Sequence, residues 1–278
     1  MRNALGYVAV TVFFLVGGAM ALLYVRSGGR APSPVWAGGE IRVGYSIEAP
    51  YAYRTPTGDV AGAGPEVAKV VLGQAGIGPI RWVLLDFQEA FGALADGRID
   101  MIANGLFITP ERARRMRFSR PYSRTRQGLL VRRGNPLDLH AYGDAARHPT
   151  AVVAVLDGSV EQQALSRLGL PFDRLFVVPN PADGLAAVRA GRADGLALSA
   201  PTVSSLAGEA AGEVEPASPF AQEPGAPEGE SAFAFRQEDR VLAGRVDTAL
   251  GEFLGTPRYR EDMARLGFDA VAPPGGGR

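Results

Sequence analysis

Hydrophobic and polar positions alternate over residues 41–46, which predicts a strand. Gly64, Pro65 and Glu66 then open a helix whose apolar positions, with Val70 and Leu72, continue to Gly76. Residues 80–85 read as a second strand. Residues 88–96 read as a helix with Ala90, Phe91 and Leu94 on one face, and 99–103 as a third, short apolar strand. Strand–helix–strand–helix–strand implies a parallel sheet with helices on its faces. The pattern then recurs: strand 150–156, helix 159–168, strand 175–179, helix 182–190 closed by Gly191, strand 193–199. Gly97-Arg98-Ile99-Asp100 and Gly191-Arg192-Ala193-Asp194 are one helix-stop, strand-start device used twice. The expectation is an α/β protein of two analogous lobes, not a tandem repeat. Two more extended stretches lie at 128–134 and 231–236, and 241–254 and 257–266 read as helices. Residues 209–230, dense in Pro, Gly and Glu, read as a mobile acidic surface loop that is solvated filler rather than a partner site.

The first residues differ in kind. Residues 4–25 carry no charge, with Arg2 before them and Arg26 after. That run can span a bilayer as a helix. Ala19-Met20-Ala21 would also suit a signal peptidase, so residues 1–26 are either an uncleaved anchor or a signal peptide with a long core. The apolar run beyond that site favours the anchor. Residues 27–39 read as a linker and the end of the chain, 271–278, as a frayed tail. The 278 residues hold 29 basic and 29 acidic side chains. No basic field points to nucleic acid. With no cysteine there is no disulfide, thiol catalysis or lipid attachment through sulfur. His140 and His148 lie in a polar loop and are poor metal ligands, so neither a metal nor a cofactor is expected.

Thr109 and Pro110 start a helix as cap and first residue. Arg112 then sits in a first turn, against the helix dipole. A bound carboxylate would favour it there. The alternative is a solvated Arg on a basic helix that also holds Arg114, Arg115 and Arg117.

The stretch GRIDMIANGLFITPERARRMRFSRPYS resembles the pattern GxxDxxxxxxxxTxERxxxxxFSxPY of the family 3 periplasmic solute-binding proteins, receptor subunits of polar amino-acid ABC importers. The resemblance spans roughly residues 40–270. It implies a periplasmic-binding-protein fold with two hinge-connecting strands, 40–130 and 233–270 forming lobe 1 and 131–232 lobe 2. It also implies an extracytoplasmic, monomeric receptor that works with an ABC permease. An N-terminal membrane anchor, the short Asp-Gly-Ser turn and the Glu-rich loop depart from the family pattern, and the anchor is expected from the apolar run alone. In that family the Arg of the TxER motif grips the ligand carboxylate, so Arg112 takes that role. Two aligned N–H donors match a carboxylate better than a Lys point charge.

A ligand of this fold lies between lobes at the carboxyl ends of strands. Glu48 and Tyr51 follow the first strand, Phe87 the second, and Gly105 and Phe107 the third. Asp157, Gly158 and Ser159 follow the first strand of lobe 2. Ser159 can cap the next helix while its backbone N–H receives an anion, clamping a carboxylate between Arg112 and Gly158/Ser159. Tyr51, Phe87 and Phe107 read either as core packing or as an aromatic box. Beside Glu48, such a box suits a delocalised cation. Amino-acid receptors of the family usually carry an Asp after the last lobe 2 strand, where this chain has Ser199. Glu48 to Tyr51, Ala103 to Arg112, Arg133 to Leu137 and Leu170 to Pro179 resemble the ectoine/hydroxyectoine-binding receptors. The resemblance implies Glu48, Tyr51, Phe87, Phe107 and Arg112 around a cyclic amidinium carboxylate. The competing reading is an enzyme, because dehydratases acting on cyclohexadienyl acids share this fold. Glu48 or Asp157 would then be the general acid.

Overall fold

The computed structural model describes residues 39–224, 228–268 and 271. The expected membrane or signal helix, nearly all of the linker and all but the first residue of the tail lie outside the described residues. Among the described residues, no helix is long and apolar enough to cross a membrane.

Fourteen strands are described: β1 Ile41–Tyr45, β2 Tyr53–Arg54, β3 Val60–Ala61, β4 Ile80–Leu84, β5 Met101–Ile102, β6 Arg117–Phe118, β7 Ser123–Thr125, β8 Gln127–Arg132, β9 Val153–Leu156, β10 Leu175–Val178, β11 Gly195–Ser199, β12 Val214–Pro216, β13 Gly229–Ser231 and β14 Ala234–Phe235. Ten of them form two five-stranded sheets, one per lobe, ordered β4-β1-β5-β14-β6 and β10-β9-β11-β8-β12, and the other four form the two-stranded pairs β13-β7 and β2-β3. In the first, β1 runs parallel to β4 and β5, and β14 is antiparallel to β5 and β6. In the second, β9 runs parallel to β10 and β11, and β8 is antiparallel to β11 and β12. The expected two-lobed α/β architecture is therefore observed. The helices Arg240–Leu254 and Pro257–Arg265 return to lobe 1 and pack on the helix Ala63–Gln74.

The crossing between lobes falls elsewhere than the sequence suggests. Gln127–Arg132 lies wholly in the second sheet, so a boundary at 130/131 would cut a strand. The ribbon joining the sheets is the antiparallel pair β7–β13, with Ser123 opposite Ser231 and Thr125 opposite Gly229. Period-2 alternation marks a strand but cannot say which sheet receives it.

Residues 209–230 are not a mobile loop where they are described. Val214–Pro216 is the edge strand of the second sheet, with Val214 buried. Gln222 exchanges two hydrogen bonds with the Gln127 backbone, and Glu223 accepts from the Gly143 N–H. Each acidic residue has a job that composition hides: Glu213 pairs with Arg189, Glu228 with Arg126 and Glu230 with Arg124. Val271, expected in the frayed tail, is buried and donates its N–H to Tyr259 Oη at 2.8 Å. The helix Ala200–Glu209, unforeseen in the sequence pattern, packs on β8, β11 and β12. Its small residues present too weak an apolar stripe to announce it.

The repeated corner is seen twice. Gly97 and Gly191 take φ of 68° and 69°, the left-handed geometry that ends a helix without a Cβ clash. The aspartate three residues later then binds an arginine of a neighbouring strand. Asp100 takes Arg42 of β1 at 2.7 Å, and Asp194 takes Arg132 of β8 at 3.0 Å.

Candidate functional site

The lobes meet over a small cavity of about 30 Å³, lined by Glu48, Tyr51, Phe87, Gly105, Phe107, Arg112, Ser159, Glu161 and Ser199, with Leu156, Val160 and Leu198. It has room for one or two waters. An open cleft of about 1010 Å³ adjoins it and shares Glu48, Phe87 and Leu156 with it. Eight of the ten residues singled out in the sequence thus line one cavity; Gly158 touches Arg112, and Asp157 lies outside it.

Arg112 is placed by its helix Pro110–Arg115. Thr109 caps that helix, its Oγ1 accepting from the Arg112 N–H at 3.1 Å. The side chain is not solvated; the residue is only 7% exposed. Its guanidinium lies 5.6 Å from the Phe87 ring centre and 5.4 Å from that of Phe91. It donates to the Phe107 carbonyl at 2.9 Å and, across the lobes, to the Gly158 carbonyl at 3.0 Å. Burial lowers its pKa to about 10, against the charges of Glu161 and Glu111. This buried, stacked guanidinium is bound to carbonyls and, among the described residues, has no carboxylate within salt-bridge distance; a ligand carboxylate would supply one.

The lobe 2 half of the expected clamp is built differently. Ser159 does cap the helix Val160–Arg167, its Oγ accepting from the Gln162 N–H. Its own N–H, however, donates to the Leu156 carbonyl, and that of Gly158 donates to Gln162 Oε1. These N–H groups are already engaged, so Gly158 contributes a carbonyl that accepts from Arg112 rather than an anion-binding donor. Local turn geometry decides this, and residue types at that spacing do not reveal it. Asp157 faces solvent.

Opposite Arg112 sits a polar relay. Ser199 hydroxyl meets Thr202 Oγ1 at 3.1 Å, and Thr202 donates to Glu48 Oε1 at 2.9 Å. Burial, and secondarily the charge of Glu161, pushes the Glu48 carboxyl up to about 7 despite the Thr202 bond. Burial likewise pushes Glu161 up to about 7, opposed by its backbone hydrogen bond, by Arg112 and by Ser159. Tyr51 and Phe107 meet edge to face with centroids 6.3 Å apart, while the Phe87 face is turned to Arg112. The aromatic group thus splits into Tyr51 and Phe107 beside Glu48, and Phe87 with Phe91 under the guanidinium. Gly105, at φ 83°, lets the chain pass Tyr51 where a Cβ would lie 2.5 Å from the ring.

Sequence reasoning missed Glu161, Thr202 and Phe91 as parts of this site. Glu161 occupies a helical first turn, where an acidic residue is ordinary. Thr202 stands one helical turn beyond Ser199, a spacing legible only once the helix there is known.

Comparison with known proteins bears on this geometry. The family model described as bacterial extracellular solute-binding proteins, family 3, matches residues 41–264. A probable amino-acid ABC transporter periplasmic-binding protein, y4tE of Sinorhizobium fredii (strain NBRC 101917 / NGR234), is 34% identical over 241 residues, 84% of this chain and 79% of that protein. The crystal structure of EhuB in complex with hydroxyectoine superposes with a TM-score of 0.79 at 29% identity, covering 85% of this chain and 91% of that one. The ancestral amino acid-binding protein AncCDT-1, a precursor of cyclohexadienyl dehydratase, shares the fold with a TM-score of 0.70 at 24% identity, over 84% of this chain and 96% of that one.

Proposed function

This chain belongs to the bacterial extracellular solute-binding proteins of family 3, and we propose that its ligand is a small zwitterionic carboxylate bearing a delocalised cation, of the ectoine or hydroxyectoine kind. It is an extracytoplasmic solute-binding protein of the amino-acid ABC transporter type. The ligand is handed to an ABC permease, and the N-terminal apolar run holds the receptor at the membrane. The observation that carries the ligand class is the buried Arg112, stacked on Phe87 and Phe91, with a half-buried Glu48 beside Tyr51 and Phe107 in the same cavity. Arg112 takes the carboxylate. Glu48 and the aromatic faces take a diffuse, weakly hydrated cation, to which each face contributes about 0.5–2 kcal/mol. The likeness to EhuB, whose crystal structure holds hydroxyectoine, supports this choice. A cavity of about 30 Å³ cannot take such a molecule as it stands. Binding therefore requires the lobes to part and close around the ligand.

Calorimetry against ectoine, hydroxyectoine, glycine betaine and common amino acids tests the proposal. Saturable binding of ectoine or hydroxyectoine is expected. Tight binding of a common α-amino acid with no response to either would overturn the ligand while leaving the receptor standing.

One observation favours a second reading. A carboxyl whose pKa is pushed up to about 7 by desolvation, as at Glu48, is poised to act as a general acid. Turnover of a cyclohexadienyl acid, lost in Glu48→Gln, would establish the dehydratase reading; no turnover removes it.

A further inference from the structure

Three ionisable side chains line the inner cavity with opposite demands: Arg112 and Glu48 from lobe 1, Glu161 from lobe 2. Glu161 is 5% exposed and sits at the start of the helix Val160–Arg167. No cation lies within 4.0 Å of either glutamate among the described residues; the ion pairs of the molecule lie elsewhere. A second observation points to a ligand at this place. The Tyr51 hydroxyl is buried in the cavity wall without a hydrogen-bond partner, close to the hydroxyls of Ser199 and Thr125 but in bonding geometry with neither. An N–H group on a ligand would complete it.

We infer that Glu161 is a specificity-determining residue that sets the charge of the accepted ligand: a net-neutral zwitterion enters this site only together with a proton, whereas a ligand of net charge +1 enters without one. The inference rests on the receptor reading above. Its basis is charge balance in a desolvated space. Once Arg112 is engaged by the ligand carboxylate, two carboxylates face whatever cation the ligand carries. A zwitterion neutralises one and leaves the other buried and unpaired, which a low-dielectric site does not tolerate. The cheapest remedy is to protonate it. A ligand with two positive centres neutralises both. The groups around Glu161 are Arg112 from the helix Pro110–Arg115, Glu48 from the segment after β1, Ser159 at its own helix start and Tyr142 from the helix Tyr142–Arg147. Glu111 faces only Arg112. None of these supplies a second cation. Both carboxyls titrate near pH 7, so the required proton is available near neutrality.

The test is calorimetry on the full chain in detergent at pH 8, in buffers of different ionisation heat, with ectoine as the neutral probe and L-arginine as the net +1 probe. Ectoine should take up about one proton on binding and lose about tenfold in affinity per pH unit above pH 8, as linkage requires. Arginine should take up none. In Glu161→Gln the proton uptake with ectoine should vanish and its affinity should become flat with pH, while arginine binds more weakly than to wild type. Ectoine binding to wild type without proton uptake, or with the same uptake in Glu161→Gln, overturns the inference. If neither probe binds, it is the proposed ligand class that fails. The charge inference is then read from the ligand-free protein. The melting midpoint of wild type should fall from pH 5 to pH 8 more steeply than that of Glu161→Gln, and equal slopes overturn it.

Discussion

The two lobes are alike at one end of their sheets and unlike at the other. At the helix-to-strand corner both use a left-handed glycine and an aspartate that binds an arginine of a neighbouring strand, Asp100 with Arg42 and Asp194 with Arg132. At the cleft, lobe 1 brings long side chains on loops and a short helix: Glu48, Tyr51, Phe107 and Arg112. Lobe 2 brings two helix starts, Ser159 and Glu161 on one, Ser199 and Thr202 on the other. The corners before β5 and before β11 do the same structural task, so their chemistry is repeated. The cleft must recognise an asymmetric molecule, so its chemistry is divided: the guanidinium from one side, a hydroxyl relay and a further carboxylate from the other.

Arg112→Ala should have the largest effect on the cleft half of this comparison. Losing one partner of a buried charge pair costs about 3–5 kcal/mol, so binding of a carboxylate ligand should fall by more than a hundredfold in calorimetry. Circular dichroism should stay unchanged. Binding within a few-fold of wild type would remove Arg112 from the site.

The corners can be separated next. Asp100 is 4% exposed at its side chain and also binds Arg236, whereas Asp194 is 21% exposed and, among the described residues, holds one arginine. Asp100→Asn should cost about 2–3 kcal/mol in urea unfolding, and Asp194→Asn about 1 kcal/mol. Equal losses would mean that burial does not distinguish the two corners.

Lobe 1 aromatics should then outweigh lobe 2 hydroxyls. Phe107→Ala and Tyr51→Ala should each weaken ligand binding by about 1–2 kcal/mol through lost packing and cation attraction. Ser199→Ala should weaken it by about 1 kcal/mol or less, because Ser199 acts through Thr202. A reversed order would shift recognition to lobe 2.

The smallest expected effect, and the sharpest contrast, lies in pH dependence. Asp100 is held below the ordinary carboxylate range: burial alone would raise it, but the side-chain and backbone hydrogen bonds of Arg42, with those of Arg236, more than offset this. Its stabilisation is present above the unfolded-state pKa and is lost as pH falls through the folded one. Glu48 has the opposite sign. Its folded pKa, raised to about 7, makes its stabilising protonated form dominant below the unfolded value, and that stability is lost as pH rises through about 7. Melting midpoints of the ligand-free protein should therefore decline between pH 5 and pH 8, less so in Glu48→Gln and undiminished in Asp100→Asn. A flat profile would show that Glu48 is solvated.

The alternation of 41–46, the helical stripe at 88–96 and the repeated corners were enough to specify two α/β lobes, because period and helix-stop chemistry are local. Arg112 was half legible in the same way: an arginine in the first turn of a capped helix is a conflict visible in the chain, but a solvated basic helix accounts for it equally well, and only the resemblance to family 3 decided between the two. Tertiary structure alone decided the rest. It chose the second sheet for Gln127–Arg132, converted the Glu-rich stretch around Val214–Pro216 into an edge strand with paired charges, and turned the Gly158 carbonyl rather than its N–H to Arg112. It also brought Glu161 into electrostatic reach of Glu48, although more than a hundred residues separate them in the chain. Which sheet accepts a strand, which carboxylates share a desolvated space and which backbone group faces a ligand all depend on distant neighbours, and no local pattern encodes them.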